Sequence, residues 1–281
     1  MGTLSVNCRM KSESIMGEEV SSIDFTAVKK PSIFWLVTEG HRALFEWGTY
    51  YPYKLLSSKC DTGDGHPVLV LPGFMASDLS TGPLRNFLNK LGYSTYGWGI
   101  GRNTANEQHL DLLIEKIEDI FLRHRTKVSL IGWSLGGVFA REIAKRKPNL
   151  IRQIITLGSP FGGVVEPNNA LWLYELLTDG RGTEDVDDEL LTNIPDPAPV
   201  PTTAIYSKED GIVSWKVCIE ETEDDIHQNI QVRGSHLGLG VNPVVLEIIM
   251  DRLQYKEENW RKYEEKKSLR HSFFAPFISA S

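Results

Sequence analysis

Residues 130–138 read L-I-G-W-S-L-G-G-V. The apolar run VSLI precedes Ser134 and the helical pattern LGGVFAREIAK follows it, so the serine falls on a strand-to-helix corner. Gly132 and Gly136 flank it at −2 and +2, and Gly137 adds a third small residue. At such a corner the serine takes a strained backbone, and the residues at −2 and +2 crowd the neighbouring strand and helix. The hydroxyl then stands at the C-terminal edge of a sheet, at the start of the next helix. That placement suits nucleophilic attack, for which the hydroxyl needs a base and the base an orienting acid.

Acid and histidine are expected downstream, in that order. His227, His236 and His271 follow Ser134. His236 lies in R-G-S-H-L-G-L-G-V-N-P, a glycine-rich loop between a strand and a helix, where a side chain can be aimed over a site. His227, in EDDIHQN, and His271, in the tail, read as solvent-exposed. For the acid, TTAIYSKEDGIVSW places Asp210 directly after a strand, with Gly211 allowing the turn and Glu209 as runner-up. An oxyanion would need two backbone donors. The N–H of Leu135 supplies one; the other comes from L-P-G-F-M-A-S-D at 71–78, where Phe74 is preferred, Met75 is the alternative, and Pro72 has no N–H.

These residues need a frame, and the chain provides one. PVLVLPG is a buried-strand pattern, and strands follow at YSTYGWG, KVSLIG, IRQIITLGSP, TTAIYS and the start of NIQVRGSH. Helical stretches alternate with them at 80–91, 106–124, 135–147 and 242–253. Such alternation predicts an α/β fold with a mostly parallel central sheet and helices on both faces. The core is assigned to 65–163 and 202–253 of a single domain spanning 31–281, behind a loosely ordered segment at 1–30. Residues 164–201 break the rhythm with an apolar piece, ALWLYELL, an acidic loop and a proline-rich exit, and are assigned to a short cap or lid insertion. The tail, 254–281, is charged and expected to be helical and solvated over 254–268.

Before the core, 32–51 forms a strongly aromatic helix. Ile33, Leu36, Val37, Gly40, Ala43, Leu44, Trp47 and Tyr51 fall at three- and four-residue spacing and predict an apolar face packed on the domain. The alternative is a peripheral lipid contact, against which stands the lack of a Lys/Arg cluster.

Of 281 residues, 41% are hydrophobic, enough for a large core, and the net charge of −7 argues against a nucleic-acid partner. Cys8, Cys60 and Cys218 are odd in number, widely spaced and in no metal-ligand pattern, so they read as reduced thiols. No secretory signal is evident and no apolar stretch is long enough to span a membrane, which predicts a cytoplasmic, soluble protein.

Together, LPGFMASD, GWSLGG, ITLGSPFGG, EDG and GSHLGLG resemble the α/β-hydrolase superfamily of the lipase and carboxylesterase kind, over about residues 65–253. The resemblance implies cleavage of carboxylic esters with Ser134, Asp210 and His236 as a triad, Phe74 and Leu135 as oxyanion donors, and no metal or organic cofactor. An acyltransferase or thioesterase on the same triad is the alternative, and a non-catalytic binding protein is a third reading. Apolar residues beside predicted strand ends (Met75, Trp98, Trp133, Phe161) and Trp172 on the insertion are assigned to substrate binding, which favours a small-molecule ester or lipid. Two departures stand out. Family members commonly carry His-Gly where this chain has Pro72-Gly73, which leaves that loop's hydrogen bonding unspecified. The usual antiparallel strand pair before the first long strand is not evident, so the sheet has six strands or eight.

Overall fold

Six runs of β-favouring residues become six strands: β1 (Pro67–Leu71), β2 (Ser94–Gly97), β3 (Val128–Trp133), β4 (Ile151–Leu157), β5 (Thr202–Ser207) and β6 (His227–Val232). The computed structural model describes residues 31–57, 63–106, 108–162 and 193–264. Among these residues the strands form one sheet in the order β2-β1-β3-β4-β5-β6, with every pairing parallel. Strands β1, β3 and β4 are almost wholly buried because both sheet faces are covered.

The pleat divides the core in two. Leu69, Leu71 and Leu130 join one apolar cluster with residues of α3 (Gln108–His124) and α4 (Leu135–Arg146). Val68, Val70 and Ile131 join the other, with residues of α1 (Ile33–Ser57), α2 (Asp78–Lys90) and α5 (Pro243–Leu253). Helix α3 buries Leu110, Leu113, Ile117 and Ile120 at helical spacing. Helix α5 starts at Asn242, whose side chain accepts the Val244 N–H at 3.0 Å, with Pro243 in its first turn.

Strand order reverses beside β1: the chain steps from β1 out to β2, then returns to the other side of β1 as β3. The C-terminal ends of β1 and β3 therefore frame a crevice, where ligands bind in open α/β sheets. The LPGF turn and Ser134 lie at these two ends.

Three sequence expectations are corrected. Helix α1 runs to Ser57, through Pro52, and most of its expected apolar face points outward: Ile33 is 77% exposed, Val37 72% and Leu44 72%, and Leu36 and Tyr51 are also exposed, while Ala43 is buried and Trp47 packs against the core. Its buried stripe is Glu39, Ala43, Glu46, Tyr50, Tyr53 and Ser57. The two carboxylates are wanted there by backbone donors of distant loops, a demand stronger than the hydrophobic tally of the helix. His227 is buried, its Nδ1 at 2.8 Å from Asp224 and its Nε2 at 2.9 Å from the Ala198 carbonyl, and so serves to fix β6. The described part of the tail holds only a 3-10 turn, Glu257–Asn259, and returns Tyr255, Trp260 and Tyr263 around the buried Arg252 guanidinium.

The expected insertion lies largely outside the described residues, as do the segment 1–30, His271, Cys8 and Cys60. Its exit, 193–201, is anchored on α4: Arg141, fully buried, donates to the carbonyls of Pro195 (3.2 Å) and Asp196 (2.9 Å) and pairs with Glu220.

His66, just before β1, is buried between Asp64 and Ser129, with its Nε2 at 2.9 Å from the Ser129 hydroxyl. Burial, and secondarily the nearby Arg152 charge, bring its pKa down to about 4. The folded protein therefore binds fewer protons than the unfolded chain between pH 4 and 6.5. Stability from this group is complete above pH 6.5 and is lost as the pH falls toward 4; such a displacement amounts to about 3 kcal/mol. Urea unfolding across that window should show a steep acid decline that His66→Gln flattens; parallel curves would refute the assignment.

Candidate active site

Ser134 adopts φ 52° and ψ −125°, a conformation that L residues rarely occupy. The surrounding glycines make it attainable. A Cβ on Gly132 would overlap Gly136 and Gly137 of the following helix, and one on Gly136 would overlap the backbone of Leu71 and Pro72. Strand and helix thus meet at backbone distance. The Ser134 N–H donates to the Leu157 carbonyl at 2.8 Å, which locks the corner onto β4. Its hydroxyl does not cap α4 and is left to the cavity.

That cavity has a volume of about 230 Å³ and is walled mainly by apolar surface. Ser134 and His236 both line it, with Phe74, Trp133, Ile212, Val213 and Leu237 among the others. His236, in the loop after β6, places Nδ1 2.6 Å from Asp210 Oδ2. Both are only 4% exposed. The other carboxylate oxygen, Oδ1, accepts the N–H groups of Ile212 (2.8 Å) and Val213 (2.7 Å), which fixes the Asp210 side chain in its turn. With Nδ1 facing a carboxylate, that nitrogen carries the proton and Nε2 is left as a base. Gly158 closes the space behind the pair: at φ 54°, any Cβ there would stand 3.1 Å from His236 Nδ1 and 3.2 Å from Asp210 Oδ2.

Glu209 faces the other way and pairs with Arg233 at 2.8 Å. Cys218 is buried, and burial, aided by the Asp210 charge, pushes its thiol well up, which makes it a poor nucleophile.

The turn after β1 gives the two candidate donors different surroundings. Met75, at φ 56°, spends its N–H on the Asn103 carbonyl at 2.7 Å. The N–H groups of Phe74 and Leu135 find no protein acceptor among the described residues. Asn103, fully buried, holds this turn from outside: its amide donates to the Pro72 carbonyl at 2.9 Å and its backbone N–H to Ala76 at 2.8 Å. These bonds organise the loop without a histidine at position 72. Asn103 carried no signal in the sequence, since an asparagine among loop residues reads as a turn former.

The residues assigned to substrate binding separate. Trp133 lines the cavity and also donates its indole N–H to the His236 carbonyl at 3.0 Å, so it is wall and buttress together. Met75 is half exposed beside the cavity's lining. Trp98 and Phe161 lie in the core, not on the cavity wall: Trp98 packs edge-on against Phe139, and Phe161 lies 3.9 Å under the Arg141 guanidinium. Both follow strands, but their strand ends turn the rings inward. Trp172 lies outside the described residues. Ile212, Val213 and Leu237, aliphatic residues of loops that carry no strand-end signal, supply much of the wall. Among the described residues no His, Cys, Asp and Glu cluster could hold a metal ion, and no helix is long and apolar enough to cross a membrane.

Residues 67–198 match the family model described as palmitoyl protein thioesterase. Among solved structures, lipase B of Aspergillus fumigatus is similar with a TM-score of 0.53 and 20% identity, covering 70% of this chain. The chain spans about half of that lipase, 54% of its length. An alpha/beta superfamily hydrolase from Oenococcus oeni PSU-1 is similar at TM-score 0.49 and 16% identity, over 69% of this chain and 94% of that one. No curated protein matches the sequence.

Proposed function

The chain has the α/β-hydrolase fold, and from that premise we propose that it is a serine hydrolase cleaving carboxylic esters of an apolar acyl group. One observation carries the reading: a serine held at φ 52°, ψ −125° opens on the same apolar cavity as a histidine whose far nitrogen is 2.6 Å from a buried carboxylate.

The proposed steps are those of acyl transfer. Ser134 Oγ attacks the acyl carbonyl as His236 Nε2 takes its proton, and Asp210 stabilises the resulting imidazolium. The carbonyl oxygen becomes an oxyanion within reach of the Phe74 and Leu135 N–H groups, each such donor worth about 3 kcal/mol. Collapse breaks the acyl–oxygen bond, and the imidazolium returns its proton to the leaving alcohol. Water then attacks the acyl-enzyme, again giving its proton to His236, and the acid leaves with Ser134 restored. Ile212, Val213, Trp133 and Leu237 offer the acyl chain apolar contact.

A thioester is the second reading, favoured by the family match over 67–198. It needs the same acyl-enzyme, with a thiolate that leaves readily and makes less demand on His236 as an acid.

Incubation with a fluorophosphonate, followed by peptide mass spectrometry, should place a single adduct on Ser134. p-Nitrophenyl esters from acetyl to palmitoyl, run beside the matching acyl thioesters, should show turnover rising beyond the shortest chains. An adduct elsewhere, or none, would overturn the proposal, and the ester-to-thioester ratio decides between its two forms.

A further inference from the structure

Helix α1 reaches both halves of the His236–Asp210 pair with its two buried carboxylates. Glu39 Oε1 accepts the N–H of Leu237, the residue after His236, at 2.8 Å. Its Oε2 accepts the N–H of Gly211, the residue after Asp210, at 3.1 Å. One carboxylate therefore ties the turn that carries the acid to the loop that carries the histidine. Seven residues on, two turns along the same face, Glu46 holds the other side of the histidine. It accepts the Ser235 N–H at 3.1 Å, the Ser235 hydroxyl, and the Asn242 amide at 2.8 Å.

Glu39 is itself held. It is 4% exposed and takes the Arg42 guanidinium at 2.8 Å, while Arg42 also reaches the Trp35 carbonyl at 3.0 Å. The loops leave room for nothing else. A Cβ on Gly211 would stand 2.5 Å from the Trp35 carbonyl of α1, and one on Gly238 would overlap Glu46. The loop bearing His236 is short of regular backbone partners, being a 3-10 turn, so these acceptors replace a hydrogen-bond ladder.

We infer that Glu39 and Glu46 are positioning residues for the His236–Asp210 pair, and that α1 is thereby part of the catalytic apparatus although no atom of these carboxylates touches the acyl group. The inference rests on the serine-hydrolase reading above. Misplacement of a catalytic group by about 1 Å can cost about 100-fold in rate, and a histidine whose loop has lost two anchors is open to that displacement. Truncation should act mainly on kcat, because neither carboxylate itself lines the cavity.

The test compares the unsubstituted protein with Glu39→Ala, Glu39→Gln and Glu46→Gln, with kcat expressed per fluorophosphonate-titrated Ser134. Glu39→Ala should lower kcat about 100-fold with KM within about threefold. Glu39→Gln keeps the shape and one acceptor oxygen but turns an amide N–H₂ toward a backbone donor, and should fall between, near 10-fold. A purely structural role would reduce the titratable fraction and leave kcat per site unchanged, which would overturn the inference. Should Glu39→Ala not fold, the two isosteric glutamine variants carry the comparison: normal kcat per site in both overturns it, and a loss in either with KM steady supports it. If the unsubstituted protein gives no Ser134 adduct, the hydrolase reading fails and the inference with it; a normal adduct with unaltered variants removes the inference alone.

Discussion

Ser134→Ala is expected to lower kcat for ester hydrolysis by about 10⁴-fold or more and to abolish fluorophosphonate labelling, while leaving the fold intact. The structure separates these effects. The hydroxyl caps nothing in α4, so its removal takes away no bond that holds the helix. Alanine meets the same left-handed backbone strain as serine, and its Cβ occupies the place already packed 3.2 Å from where a Cβ on Gly73 would be. Thermal unfolding should accordingly shift by no more than a few degrees. What disappears is the bond between Oγ and the acyl carbon, without which no acyl-enzyme forms. Oxyanion donors and the apolar wall would survive, so a small rate above the uncatalysed reaction should persist. Turnover close to that of the unsubstituted protein, or fluorophosphonate labelling that persists, would refute the mechanism.

Much of this site is legible in the chain because it depends on local rules. The glycines around Ser134 announce a corner too tight for a Cβ, and the structure places their α-carbons where a Cβ would overlap neighbouring backbone. Strands β1, β3 and β4 stand out as buried runs because a parallel sheet covered on both faces needs no polar alternation. What could not be read depends on partners far along the sequence. The stripe Glu39, Ala43, Glu46, Tyr50, Tyr53 keeps strict helical spacing, yet hydropathy ranks it below the aliphatic face beside it. Its burial is decided by N–H groups nearly 200 residues away, which hydropathy does not count. Asn103 was invisible for the same reason, its partners being carbonyls and amides of the turn after β1. Trp98 and Phe161 were misplaced because position after a strand does not state which way the chain turns next.

Asp210→Asn should cost about 10³- to 10⁴-fold in kcat, whereas Glu209→Gln should change it by less than about threefold. The neighbours are chemically alike, and the difference lies in what they face. Asn at 210 retains an acceptor oxygen for the Ile212 and Val213 N–H groups, so the turn keeps its shape. Opposite His236 Nδ1, however, it presents an N–H₂ group where Oδ2 now lies at 2.6 Å. A donor there turns Nδ1 into the acceptor and moves the ring proton to Nε2. The nitrogen that should take the Ser134 proton would then already carry one, and the imidazolium would lose its compensating charge. At Glu209 the carboxylate spends itself on Arg233 near solvent, where an ion pair contributes little to either stability or chemistry. Initial rates on one p-nitrophenyl ester, normalised to folded protein by circular dichroism, distinguish the two substitutions. A larger loss in Glu209→Gln than in Asp210→Asn would transfer the acid's role to Glu209 and require the turn after β5 to rotate, breaking both Asp210 Oδ1 hydrogen bonds that now hold it.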